Sequence, residues 1–199
     1  GILLIQRLVD SFGPVTMAAF AAGVKIDAFA YLPVQDFGNA FSTFVAQNYG
    51  AGQSERLRRG FRRAMALSLG FACLLSAAVA GFAEPLMGLF LQPEETAVLA
   101  AGVRYLRIEG AFYPGIACLF LLYGIYRAVR RPGMSVVLTV ISLGTRVALA
   151  YLLSAIPAVG VVGIWWSVPI GWFLADMTGL LYFKIRKNKL LPLDKASIR

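Results

Sequence analysis

Between Val147 and Ala175 the chain runs for 29 residues without one charged side chain. About 20 apolar residues suffice to cross a bilayer, so this run is too long for a single span. Pro157, Gly160 and Gly163 mark a turn inside it. Ala64–Ala83 is likewise uncharged, and so is Gly110–Tyr126. Runs of this length predict transmembrane helices, because lipid offers backbone N–H and C=O groups no partner except each other. Composition agrees: 59% of the 199 residues are hydrophobic and 15% are charged, with a mean hydropathy of +0.72. That excludes a disordered chain and argues against a water-soluble globule.

The expected fold class is an all-α integral membrane bundle of six helices. They fall at about residues 1–12, 14–49, 60–82, 97–126, 133–155 and 159–183, followed by a basic tail over 184–199. The second helix starts at Pro14, is interrupted by Pro33 and ends at Gly50 and Gly52, residues suited to those places. The first helix is read as truncated, because the chain opens with Gly1 inside an apolar run. The expectation is five complete spans and a stub of a longer protein.

Basic residues give the orientation. Arg56, Arg58, Arg59, Arg62 and Arg63 lie between the second and third helices, and Arg127, Arg130 and Arg131 between the fourth and fifth. Lys184, Arg186, Lys187, Lys189, Lys195 and Arg199 follow the last. These are 14 of the 19 Lys and Arg. The alternate connections are nearly free of them: Phe82–Thr96 holds only Glu84, Glu94 and Glu95, and Ala155–Gly163 holds no charge. Lys and Arg stay on the cytoplasmic side, so the clusters and the C-terminus are expected there, against anionic lipid headgroups. The net charge of +9 therefore reads as membrane topology, with no nucleic-acid partner. Trp165 and Trp166 are expected at the outer interface, in an aromatic belt.

There is no His, so Ser-His-Asp and Cys-His chemistry is closed off. Cys73 and Cys118 lie in apolar runs as free thiols. No convergent nucleophile and base are visible, so no enzyme, cofactor or firm metal site is expected.

Charges inside spans mark ion or substrate paths. Asp36 stands three residues after Pro33, which frees a backbone carbonyl, and shares a helix face with Asn39, Thr43 and Gln47. That stripe is a candidate cavity wall, with Asp36 a candidate Na⁺ or proton site. Helix–helix contact through polar side chains is the plainer alternative. Glu109 lies deep in its helix with Tyr105 and Tyr113 one turn to either side and Phe112 nearby, a setting for a proton, Na⁺ or an organic cation. Pairing with Arg104 or Arg107 is its alternative. Arg146 is read as neutralising a carboxylate on a neighbouring helix, Asp27 and Lys25 as a local pair, and Asp176 as reaching toward the cytoplasmic surface.

Lys25–Gly52, KIDAFAYLPVQDFGNAFSTFVAQNYGAG, and the following ERLRRGFRR resemble the eighth helix and next loop of NorM-type multidrug and toxic compound extrusion (MATE) transporters. YLRIEGAFYP (Tyr105–Pro114) with LLYGIYRAVRRPGMS, then GTRVALAYLL and GVVGIWWSVPIGW, resemble their last three helices. The resemblance implies the second lobe of a twelve-helix transporter in the bacterial inner membrane, with the N-terminal six-helix lobe of the same polypeptide as partner. Similar proteins export cationic amphipathic drugs in exchange for Na⁺ or H⁺. They often place coupling acids in the seventh and tenth helices. Here the tenth offers only Glu109, with Asp36 in the eighth as the other candidate. A flippase of lipid-linked oligosaccharides from the same superfamily is a rival reading. A non-transporting scaffold or half-length dimer is another.

Overall fold

A computed structural model describes residues 2–190, and among these the chain is helical without strands. The order is α1 (Ile2–Asp10), α2 (Pro14–Gly50), α3 (Ser54–Gly81), α4 (Ala83–Gly88), α5 (Thr96–Gly110), α6 (Tyr113–Ala128), α7 (Pro132–Ser154) and α8 (Val161–Leu190). Helix boundaries follow local chemistry. Gly13 takes φ 97° immediately before Pro14, and Gly52 takes φ 70° after α2, both in the left-handed region that glycine enters without steric cost. Pro132, like Pro14, sits in the first turn of its helix, where its missing N–H costs no hydrogen bond.

Among the described residues, α2, α3, α7 and α8 are each long and apolar enough to cross a membrane, and α5 with α6 makes a fifth span bent by 48°. The single helix expected over 97–126 is therefore broken. Pro114 has no N–H for the Gly110 carbonyl, and the chain turns at Ala111 and Phe112 before α6 begins. The third helix starts at Ser54 rather than at 60, so Arg56 to Arg63 are helical residues and not a loop. Arg59 reaches back one turn to Glu55 at 2.9 Å. The last helix continues to Leu190, and Lys195 and Arg199 lie outside the described residues.

The centre of the bundle is α6. It is apolar on all sides, as a buried helix must be, and Tyr113, Leu119, Leu121, Leu122, Ile125 and Tyr126 are almost wholly enclosed. Glycines let its neighbours approach. A Cβ on Gly124 would stand 2.9 Å from the Gly38 carbonyl oxygen on α2, and one on Gly171 would stand 2.6 Å from that of Ser142 on α7. Small residues of this kind are how helices pack in lipid, where no hydrophobic drive pushes them together. The α7 helix buries only Leu138, Ser142 and Ala150. It turns Val136, Val137, Val140 and Leu152 outward, as a lipid-facing helix does.

One end of the bundle gathers the basic clusters. Phe61 near the start of α3 packs on Phe183 near the end of α8, with ring centroids 4.7 Å apart. Phe41 of α2 touches Phe61, and Tyr126 at the end of α6 packs on Tyr182. The helix ends bearing Arg56–Arg63, Arg127–Arg131 and Lys184–Arg186 therefore lie side by side, the arrangement that the alternation of charge anticipates.

Candidate functional site

The deepest polar cluster joins α2 to the broken span. Asp27 and Glu109 are almost fully buried, at 2% and 5% exposure. The Tyr113 hydroxyl donates to one oxygen of Asp27 at 2.6 Å, and the Tyr105 hydroxyl donates to the other. The Tyr31 hydroxyl donates to Glu109 at 2.8 Å. A buried carboxylate is tolerated only when hydrogen-bonded, and here three phenols meet that need. The helices place them by turn spacing. Asp27 and Tyr31 are one turn apart on α2, and Tyr105 and Glu109 one turn apart on α5. Tyr113 enters from the far side of the break, so the bend lets two tyrosines of one span close on a single acid.

Aromatic rings wall this cluster. Trp165 packs edge-on against Tyr105 at 4.9 Å and Phe20 stacks on Trp165 at 5.6 Å. Trp172 and Tyr113 both stand edge-on to Tyr31. Beside them lies a cavity of about 230 Å³ lined by Gln6, Asp27, Tyr31, Tyr105, Glu109 and Arg146, among others. The Arg146 guanidinium sits 5.9 Å over the Trp172 ring, within cation–π range. No ion pair joins it to either acid among the described residues, and its buried Nε has no hydrogen-bond partner. Two carboxylates and one guanidinium thus share one enclosed space without contact between opposite charges.

Several expectations change. Asp27 does not pair with Lys25: its partners are tyrosines, and the Lys25 ammonium lies 5.9 Å over the Phe90 ring. Glu109 turns to Tyr31 and not to Arg104 or Arg107. Arg146 faces the acids but closes a salt bridge with neither. Asp176 does not reach for the surface; it is buried at 8% exposure. Trp165 is buried in the wall of the cluster, while Trp166 is 40% exposed and meets Phe112 edge-on. Cys118 is buried and Cys73 exposed, and neither is bridged.

The stripe on α2 stands elsewhere. Asp36, Asn39, Thr43 and Gln47 are all exposed on this lobe. Asn39 accepts a hydrogen bond from Arg127 at 3.3 Å and borders a cleft of about 340 Å³ with Gln35, Tyr123, Ser135 and Thr139. Of the two expected ion acids, the structure brings Glu109 into the buried cluster and leaves Asp36 outside it. Tyr105 and Tyr113 join Glu109 there, whereas Phe112 is 41% exposed at the break. The sequence reading leaves out Tyr31 and takes Asp27 only as half of a local pair with Lys25. Their signal was the spacing of Asp27 with Gly23 and Tyr31, a face otherwise made of small and apolar residues.

A family model described as MatE matches residues 2–152. The "Probable multidrug resistance protein YpnP" of Bacillus subtilis is 27% identical over 97% of this chain, which spans 43% of that protein. A "FAD transporter" of Shewanella oneidensis is 29% identical over 68% of the chain, which spans 29% of it. The solved structure described as "MATE transporter ClbM in complex with Rb+" superposes with a TM-score of 0.83 at 26% identity, covering all of this chain and 44% of the other. The chain thus spans less than half the length of these relatives.

Proposed function

The chain belongs to the MatE family of transporters, and we propose that it forms the C-terminal lobe of an exporter driven by Na⁺ or H⁺, with Asp27 and Glu109 as its coupling-ion site. One observation carries the reading: two acids from different helices converge on one cavity with a charged partner that closes on neither. Acids inside a membrane bundle are costly and mark ion paths. With both acids ionised and Arg146 charged, the site has one net negative charge, which one proton or one Na⁺ neutralises.

The tyrosines define what each state looks like. In the empty site they hold the carboxylates by donation. An arriving cation competes for the same oxygens, and its arrival loosens the link that Tyr105 and Tyr113 make between α2 and the two halves of the bent span. The site sits where that span is already broken, so ion occupancy there biases the angle between α5 and α6. Rocking of two lobes about a central cavity then converts the bias into alternating access. The exposed stripe Asp36, Asn39, Thr43 and Gln47 is the surface this lobe offers to that cavity, with Asp36 drawing cationic cargo. The relatives' names span drug resistance and a FAD transporter. The acids of this chain favour cationic cargo. The lobe lies in the inner membrane with its basic end, and its C-terminus, in the cytoplasm.

The test is dye efflux by the complete protein in cells. Asp27→Asn and Glu109→Gln abolish efflux at normal expression, and Asp36→Asn lowers it for cationic dyes. Full efflux by both Asp27→Asn and Glu109→Gln sinks the assignment.

A further inference from the structure

The ion site above makes no use of α3, and one face of this helix carries a pattern of its own. At about 100° per residue, Arg56, Gly60, Arg63, Leu67, Phe71 and Leu74 fall within about 80° of one another around the axis. The start of that stripe is basic and the rest is apolar. Leu67, Phe71 and Leu74 are 66%, 46% and 72% exposed, and a Cβ on Gly70 beside them would meet open space. The helix has 28 residues, whereas about 20 cross the hydrocarbon of a bilayer. Its uncharged part begins at Ala64, so the turns before it project beyond the apolar layer. They hold Arg56 and Arg59 at headgroup level, with Arg63 at the boundary.

The basic part of the stripe borders a recess. Between α2 and α3 lies a cleft of about 560 Å³, and Gln53, Arg56, Arg59 and Arg63 stand in its wall. Gly60 makes the room for its floor: the Phe44 ring of α2 occupies the space that a side chain at Gly60 would fill. Glu55, the one acid in the wall, already accepts a hydrogen bond from Arg59 at 2.9 Å. Three arginines against one carboxylate leave positive charge in excess.

We propose that this cleft is a binding site for one anionic phospholipid, its phosphate held between Arg56 and Arg63 and an acyl chain laid along Leu67, Phe71 and Leu74. Guanidinium forks match phosphate oxygens in pairs, and basic pockets between membrane helices at headgroup level lodge acidic lipid heads. The apolar stripe selects a lipid over a soluble phosphate, because a small anion gains nothing from it. The excess of positive charge selects an anionic head over a zwitterionic one, whose ammonium returns charge of the same sign. Arg130 and Arg131 lie in the turn between α6 and α7, at the same end of the bundle and outside the wall of the cleft. They separate a shaped site from the general attraction of a basic surface to an acidic membrane. None of the coupling residues takes part, so the proposal stands whatever Asp27 and Glu109 bind.

The experiment is native mass spectrometry of the complete protein, delipidated in detergent and titrated with dioleoylphosphatidylglycerol, dioleoylphosphatidylcholine or glycerol phosphate. The first phosphatidylglycerol binds at least about tenfold tighter than phosphatidylcholine, and glycerol phosphate does not bind in the same range. Arg56→Gln together with Arg63→Gln weakens phosphatidylglycerol about tenfold to thirtyfold. Arg130→Gln together with Arg131→Gln removes the same charge and leaves its affinity within about threefold. Equal affinity of the wild type for the two lipids overturns the proposal. An equal loss in both double variants overturns it too, since the attraction is then general surface charge. So does glycerol phosphate bound as tightly as phosphatidylglycerol, since the ligand is then a soluble anion.

Discussion

Tyr113→Phe removes one atom from the buried cluster and little else. The phenol oxygen lies 2.6 Å from Asp27, while the ring, edge-on to Tyr31 at 5.5 Å, keeps its place. The lost interaction is a hydrogen bond to a buried carboxylate, worth about 1.5–3 kcal/mol. Asp27 is only 2% exposed, so water replaces the donor poorly. The shift in melting temperature per kcal/mol falls with chain size, to about 2–4 °C for 150–250 residues and about half that for a transporter twice as long. A loss near 2 kcal/mol thus lowers Tm by roughly 2–4 °C for the complete protein in detergent. The stronger form of the prediction is a double-mutant cycle. In an Asp27→Asn background the neutral amide needs the phenol less, so Tyr113→Phe costs less there. The coupling between the two positions should be about 0.5–3 kcal/mol. Equal cost in both backgrounds would show that Tyr113 matters through its ring alone, and would refute the view that its hydroxyl holds the acid.

Four further outcomes follow from the same geometry. Gly171→Ala puts a methyl group 2.6 Å from the Ser142 carbonyl, so α7 and α8 must part; overpacking costs about 1–3 kcal/mol, read as a lower Tm. Arg146→Met leaves two facing acids with no counter-charge, so the site should accept a divalent or a second monovalent cation, read as a changed stoichiometry in equilibrium binding; Arg146→Lys should keep the wild-type value. Replacing Gly124 by Leu forces α6 off α2 at the Gly38 carbonyl and should abolish folded protein in size-exclusion profiles. Glu55 is held below the usual carboxylate range by the hydrogen bond from Arg59. Its contribution is therefore present at neutral pH and lost as pH falls through that lowered value. The pair is exposed to solvent, so Glu55→Gln should leave Tm at pH 7 unchanged within error.

How far the sequence discloses this site depends on what helical spacing can and cannot say. Uncharged runs and the alternation of basic clusters need only a one-dimensional pattern, so spans and common charged end were legible. Spacing also shows that Asp36 shares a face with Asn39 and Gln47. It does not show which face of α2 turns inward. Asp27 and Asp36 are nine residues apart, which at about 100° per residue puts them on opposite sides of the helix. Only one of them can face the bundle. The deciding evidence is around Asp27: Ala19, Gly23, Ala30, Val34 and Gly38 recur on its side and are all buried, and a tyrosine ring of Tyr105 occupies the gap that Gly23 leaves. Polar side chains drew attention to the other stripe, although small residues are the better sign of an inward face in lipid. The broken span was half legible. Pro114 announces a bend, but its consequence is a matter of partners on other helices. On a straight helix Tyr105 and Tyr113 would point about 80° apart and could not both reach Asp27. The bend is therefore part of the site: the proline that weakens the span is what allows one acid to be held from both sides of the break.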